Sequence, residues 1–268
     1  MARLAIAVIH GMGSQDRKYS RPLRDEINDR LGAAGASQVQ WGEIFWADVL
    51  KKRQKDYINL AKNSTDLDYI SLRSFMVGSF GDASAYRKTK DKKNTTYQKI
   101  HQRVAKCISD LDDPATPDTP LIVLAHSLGG HIMSNYIYDM QKKTASGATG
   151  LSSFQRMETL AGFITFGCNI PFFVFAYAKK DIKPIRFPGK ALAPALRKKA
   201  RWLNFFDPDD VLGYPLKPIN QAYSKIVDKD IPINVGGILT SWNPMSHQKY
   251  WTDNDFTKPV ARFIKTLL

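Results

Sequence analysis

The stretch LIVLAHSLGGHIM, Leu121 to Met133, decides the fold. Its aliphatic run, Leu121 to Leu124, reads as a buried strand continuing to Ala125. A histidine, a serine and two glycines follow, and from Gly129 to Met140 the spacing is helical. A buried strand that turns this sharply into a helix is one unit of an alternating α/β chain.

The same alternation extends in both directions. Upstream, Leu4 to Ile9 reads as a short buried strand and Pro22 to Leu31 as a helix, with Ser20 as N-cap and Gly32 as its stop. Val39 to Trp46 alternates weakly, as a second strand does. Thr96 to Leu111 carries apolar residues at Tyr97, Ile100, Val104, Cys107, Ile108 and Leu111, a helical stripe. Pro114, Pro117 and Pro120 form a turn-rich connection into the central strand. Downstream, Ala161 to Phe166 and Arg201 to Phe206 read as strands, Lys225 to Val235 as extended chain, and Phe256 to Leu267 as an amphipathic closing helix. The implied architecture is one α/β domain over residues 1–268 with a doubly wound, mostly parallel sheet. Asp66 to Lys93 and Asn169 to Lys199 fit the alternation poorly and read as cap or lid insertions.

Composition sets limits. Hydrophobic residues make up 43% of 268, enough for a sizeable core. The 39 Lys and Arg against 25 Asp and Glu give a net charge of +14, which attracts polyanions and anionic membrane surfaces. The basic stretches lack interleaved aromatics on any nucleic-acid-binding module, so nucleic acid is not an expected partner. Cys107 and Cys168 have no metal-type spacing and read as two reduced, buried thiols. The run Leu4 to Ile9 is too short for a signal sequence and no segment has transmembrane length, which makes a cytoplasmic protein the expectation.

The corner at Ser127 carries the chemistry. Strand, small-x-Ser-x-Gly, helix is the setting of a nucleophile elbow, in which a strained turn projects the serine hydroxyl above the sheet. Ala125 and Gly129 are the small residues that let strand and helix approach. The helix behind Ser127 aims backbone N–H groups at a developing oxyanion. The rival reading makes Ser127 only an N-cap.

A serine nucleophile needs a base. Of five histidines, His126 is its neighbour on a sharp turn and points elsewhere, His131 lies one turn into the next helix, His101 sits in the amphipathic helix, and His10 ends the first strand. His247 remains, and it completes the order nucleophile, acid, base along the chain. The acid belongs in a loop between them, and NFFDPDDVLGYPL offers Asp207, Asp209 and Asp210. A residue a few places along that loop reaches the site better than Asp207, which directly ends its strand. The segment HGMG, His10 to Gly13, leaves the first strand through glycines, and the N–H groups of Met12 and Leu128 are the natural oxyanion pair. As a phosphate loop HGMG fails, since it lacks both the dinucleotide fingerprint and the phosphate-loop lysine.

Together, HGMG, AHSLGG, NFFDPDDVLGYPL and SHQKYW resemble the α/β-hydrolase superfamily, and within it serine esterases and lipases. LNFFDPDDVLGYPLKPI is similar to the acid-bearing region of DDHD-type phospholipases, with Asn204, Phe206, Pro208, Asp210 and Tyr214 at matching positions. Class 3 lipases place their acid before two aliphatic residues, as in Asp210, Val211, Leu212. Both resemblances imply Asp210 as the acid. Ala125 departs from the family's usual glycine.

The resemblance implies a carboxylic ester hydrolase working through Ser127, His247 and Asp210, with no metal or organic cofactor and a small-molecule or lipid ester as substrate. Thioesterase and acyltransferase share the triad, and a silent binding protein shares the fold. Within Asn169 to Lys199, the apolar run Phe172 to Tyr177 precedes Arg197, Lys198 and Lys199. This segment is the expected cap, lining an acyl pocket and facing anionic lipid.

Overall fold

The computed structural model describes residues 3–13, 15–88, 95–147, 150–235 and 246–268. Six strands form one sheet: β1 (Leu4–Ile9), β2 (Val39–Ile44), β3 (Leu121–His126), β4 (Leu160–Phe166), β5 (Arg201–Phe206) and β6 (Lys229–Pro232). Their order is β2-β1-β3-β4-β5-β6, and every neighbouring pair is parallel. β1, β3 and β4 are buried along their whole length, which is why they read as predominantly apolar runs.

The helices are α1 (Arg21–Ala36), α2 (Asp48–Ser64), α3 (Ile70–Ala85), α4 (Thr96–Leu111), α5 (Leu128–Ala145), α6 (Ile170–Val174), α7 (Pro194–Lys199), α8 (Gln221–Ile226) and α9 (Asn254–Leu267). One core layer packs Leu4, Ile6, Val8, Ile122 and Leu124 of the sheet against α1 and α9. The other packs Ala5, Ala7, Ile9 and Val123 against α4 and α5. The sheet is therefore doubly wound, as the alternation implied. The buried stripe of α4 is the one read from sequence, and a capping box between Thr95 and Gln98 starts that helix.

Three local readings change. Gly32 does break α1, with φ 73°, but helical turns resume beyond it to Ala36. Lys225 to Val235 is not uniformly extended. The Asn220 side chain accepts the Tyr223 N–H at 3.0 Å and caps α8, whose Tyr223 is buried, so β6 starts only at Lys229. β2 ends at Ile44, because the Trp46 N–H leaves the ladder to donate to His10.

The connection from β1 steps outward to β2, and β3 then lies on the other side of β1. The crevice beyond the carboxyl ends of β1 and β3 is thus the switch point of the sheet, where open α/β folds bind ligands. HGMG leaves β1 there, and Ser127 leaves β3 there. No helix among the described residues is long and apolar enough to cross a membrane.

Candidate active site

Ser127 stands between β3 and α5 with φ 53° and ψ −126°, outside the regions that L-residues ordinarily occupy. Close approach enforces this. A Cβ on Gly129 would lie 2.7 Å from the His10 carbonyl oxygen, and one on Gly11 would lie 2.5 Å from Ser127 Cβ. Neither position admits a side chain, so Gly11 of HGMG and Gly129 of AHSLGG let β1 and the corner come together. Ser127 is 1% exposed, and its Oγ has no hydrogen-bond partner among the described residues. An N-cap serine would bond a backbone N–H of the first turn, and Ser127 does not.

The structure brings two of the expected partners together. His247 Nδ1 donates to Asp210 Oδ2 at 2.7 Å, with both residues buried. The same oxygen accepts the Tyr250 hydroxyl at 2.9 Å, and Oδ1 accepts the Leu212 N–H at 2.9 Å. Burial pushes the Asp210 carboxyl up, but these donors outweigh it and hold it below the ordinary carboxylate range. With its proton on Nδ1, His247 presents a bare Nε2 lone pair. That atom is buried and has no partner among the described residues. His247 is tied to the corner through its backbone: His126 Nε2 donates to the His247 carbonyl at 2.8 Å, and the two rings lie 4.7 Å apart. Burial, reinforced by His247, drives the His126 pKa well below its ordinary value, so His126 is a neutral strut.

The three candidate acids separate cleanly. Asp209 is exposed. Asp207 is buried, but its carboxylate accepts the N–H groups of Val235 at 2.7 Å and Asp209 at 2.8 Å, which shapes the loop. Only Asp210 of the three bonds His247. Asn204 is structural: its amide donates to the Tyr214 carbonyl at 2.9 Å and Asp230 at 2.8 Å, pinning the acid loop to β5 and β6.

The first-strand loop is held on both sides. His10 Nε2 accepts the Trp46 N–H at 3.2 Å, so Nδ1 carries the proton, 2.8 Å from the Gly11 carbonyl. Burial lowers the His10 pKa to about 4, and the ring stacks on Trp46 at 4.8 Å. Beyond Met12, the Gly13 N–H donates to Asp82 of α3 at 2.8 Å, and Gln54 donates to the other carboxylate oxygen at 2.7 Å. Met12 lies between these two anchors. Leu128 occupies the first position of α5, where a backbone N–H has no acceptor within its own helix.

Sequence reasoning missed Tyr250, His126 and Asp82. Tyr250 follows His247 by three residues in SHQKYW, and its hydroxyl also accepts the Asp207 N–H at 2.9 Å. The only signal for Asp82 is that it is the sole carboxylate of α3.

The insertion at residues 169–199 divides. Phe173 of α6 stacks on His131 at 4.0 Å, and Phe172 meets the Tyr214 ring at 4.9 Å beside the acid loop. Arg197, Lys198 and Lys199 end α7 immediately before β5, at the amino ends of the strands, whereas Ser127 is at the carboxyl ends. In the other insertion, residues 89–93 lie outside the described residues. No protein-family model matches this chain, and no curated protein matches it.

Proposed function

We propose that the chain is a serine hydrolase of the α/β-hydrolase type that cleaves carboxylic esters through an acyl-enzyme. The observation that carries this reading is Ser127 itself. A serine held at φ 53°, buried, with an unpartnered Oγ, is strained and desolvated at a position where nothing structural requires a hydroxyl. The hydrogen-bonded His247–Asp210 pair, tied to the corner through His126, supplies the base and its orienting acid in this reading.

In this reading Ser127 Oγ attacks the acyl carbonyl while its proton passes to His247 Nε2. Asp210 stabilises the imidazolium, and the N–H groups of Met12 and Leu128 receive the oxyanion. The carbon–oxygen bond to the alcohol breaks, and the leaving alkoxide takes the proton from His247. Water then attacks the acyl-Ser127 ester, giving its proton to His247, and the acid and the free serine are released. Fluorophosphonate labelling followed by peptide mass spectrometry tests the nucleophile, and a p-nitrophenyl ester series from short to long chains tests the reaction. An adduct on Ser127, with turnover lost in Ser127→Ala, is the expected outcome. Labelling elsewhere, or none in folded protein, removes the proposal.

A further inference from the structure

Of the sixteen residues of α3 only Ser79 and Asp82 are buried, and both lie against the HGMG loop. A Cβ on Gly13 would stand 3.8 Å from Ser79 Oγ, and one on Gly78 would stand 3.7 Å from Gly13 Cα. The tie between helix and loop is Asp82. Its Oδ2 accepts the Gly13 N–H at 2.8 Å, and its Oδ1 accepts the Gln54 amide of α2 at 2.7 Å. Asp82 is 3% exposed and pairs with no basic side chain among the described residues, so burial works against its charge. An apolar side chain would fill the same place without that cost, but it would leave the Gly13 N–H without this acceptor.

The other end of the loop is fixed independently. His10 is pinned by the Trp46 N–H at 3.2 Å, and Gly11 is pressed against Ser127. Met12 therefore stands between two glycines, the residues with the most backbone freedom. Gly13 has φ 87°, a conformation that other residues adopt only with strain. The bond from the Gly13 N–H to Asp82 fixes the plane of the Met12–Gly13 peptide. The preceding peptide, which carries the Met12 N–H, is then held from both sides.

We propose that Asp82 is a positioning residue for the oxyanion loop: by holding the Gly13 N–H it sets the direction in which the Met12 N–H points. Gln54 orients Asp82 in turn. Neither side chain touches substrate or a reacting atom, and the role rests on the ester-hydrolase reading of Ser127. A donor aimed at the developing oxyanion acts only when its geometry is preorganised, and a misplacement of about 1 Å can cost about a hundredfold in rate.

The test compares the parent chain with full-length Asp82→Leu, Asp82→Asn and Gln54→Met on p-nitrophenyl butyrate. It adds a trifluoromethyl ketone, which the serine hydroxyl converts to a hemiketal oxyanion. Asp82→Leu removes the acceptor at similar size. Its kcat should fall by about tenfold to a hundredfold with KM little changed, because a transition-state donor is misplaced and substrate binding is not. The Ki of the ketone should rise by the factor that kcat/KM loses. Asp82→Asn keeps an acceptor for Gly13 and should recover most of kcat. Gln54→Met should fall between the parent and Asp82→Leu, and it decides the matter if the Leu protein does not fold. Amide hydrogen exchange over residues 11–13 should quicken in the Leu or Met variant. A parent-like kcat in the folded Leu variant, or in Gln54→Met if Leu does not fold, would overturn the proposal. So would an Asn variant as impaired as Leu, a loss carried wholly by KM, or an unchanged Ki for the ketone. A parent protein with neither turnover nor a Ser127 adduct would instead remove the hydrolase reading, and this role with it, so the two failures are told apart in the parent.

Discussion

The Asp82 carboxylate accepts the Gly13 N–H at 2.8 Å, joining helix α3 to the loop that leaves β1. Burial raises the Asp82 pKa from 3.8 to about 6, opposed by the Gly13 and Gln54 donors. The folded protein therefore holds a proton on Asp82 that the unfolded chain has already released between about pH 4 and pH 6. Stability from this group falls as pH rises through that window and is level above it.

Asp82→Asn removes the titration and keeps an acceptor for Gly13, with Gln54 able to turn its amide oxygen toward the new Asn. The variant should gain on the parent as pH rises from 4 to 6, by at most about 3 kcal/mol. Urea unfolding at pH 4, 5, 6 and 7 measures the difference between the two proteins, in which other titrating groups cancel. A difference that is constant with pH would separate Asp82 from the effect.

The acid loop gives a sharper contrast. Asp210→Asn leaves His247 facing an amide instead of a carboxylate, so the wrong tautomer is favoured, and kcat on a p-nitrophenyl ester should drop by about 10⁴. Asp209→Asn should change little, because that side chain is exposed. Asp207→Asn should act on folding, since its carboxylate organises the Val235 and Asp209 N–H groups. A chemical defect in Asp207→Asn with normal Tm would reassign the acid.

Tyr250 links the two ends of the acid loop, accepting the backbone N–H of Asp207 and donating to the carboxylate of Asp210. Tyr250→Phe leaves a buried N–H without its acceptor, at about 1–3 kcal/mol of stability. It also removes one of the donors that hold Asp210 low, so the Asp210 pKa should rise and the acid limb of kcat/KM should move to higher pH. A role in packing alone would lower Tm and leave that limb unmoved.

What was legible in the sequence follows from which forces are local. The parallel sheet showed itself because β1, β3 and β4, covered on both faces, are apolar at nearly every position. The corner at Ser127 showed itself because only small residues fit where α5 meets β1. His247 and Asp210 were reached through chain order and resemblance, and their bond is a tertiary contact 37 residues apart. Tyr250 and Asp82 were missed for the same reason: each acts through a partner 40 or more residues away, and no local pattern marks it. α8 was missed because its cap, Asn220, binds only two turns of helix.

Ser127 offers the most direct measure of stored strain. A non-glycine residue at φ 53° and ψ −126° costs about 1–3 kcal/mol, and its buried Oγ lacks a partner. Glycine occupies that backbone region freely, against about 0.5–1 kcal/mol of extra chain entropy lost on folding. Ser127→Gly should therefore stabilise the protein by about 1 kcal/mol. Ser127→Ala keeps the Cβ, and with it the strain, and sheds only the unpartnered hydroxyl, so it should fall between the parent and the glycine variant. Both variants should lose fluorophosphonate labelling. Thermal and urea unfolding of the three proteins give the order. If Gly proves no more stable than Ala, the backbone at the corner is not strained, and function has cost the fold nothing there.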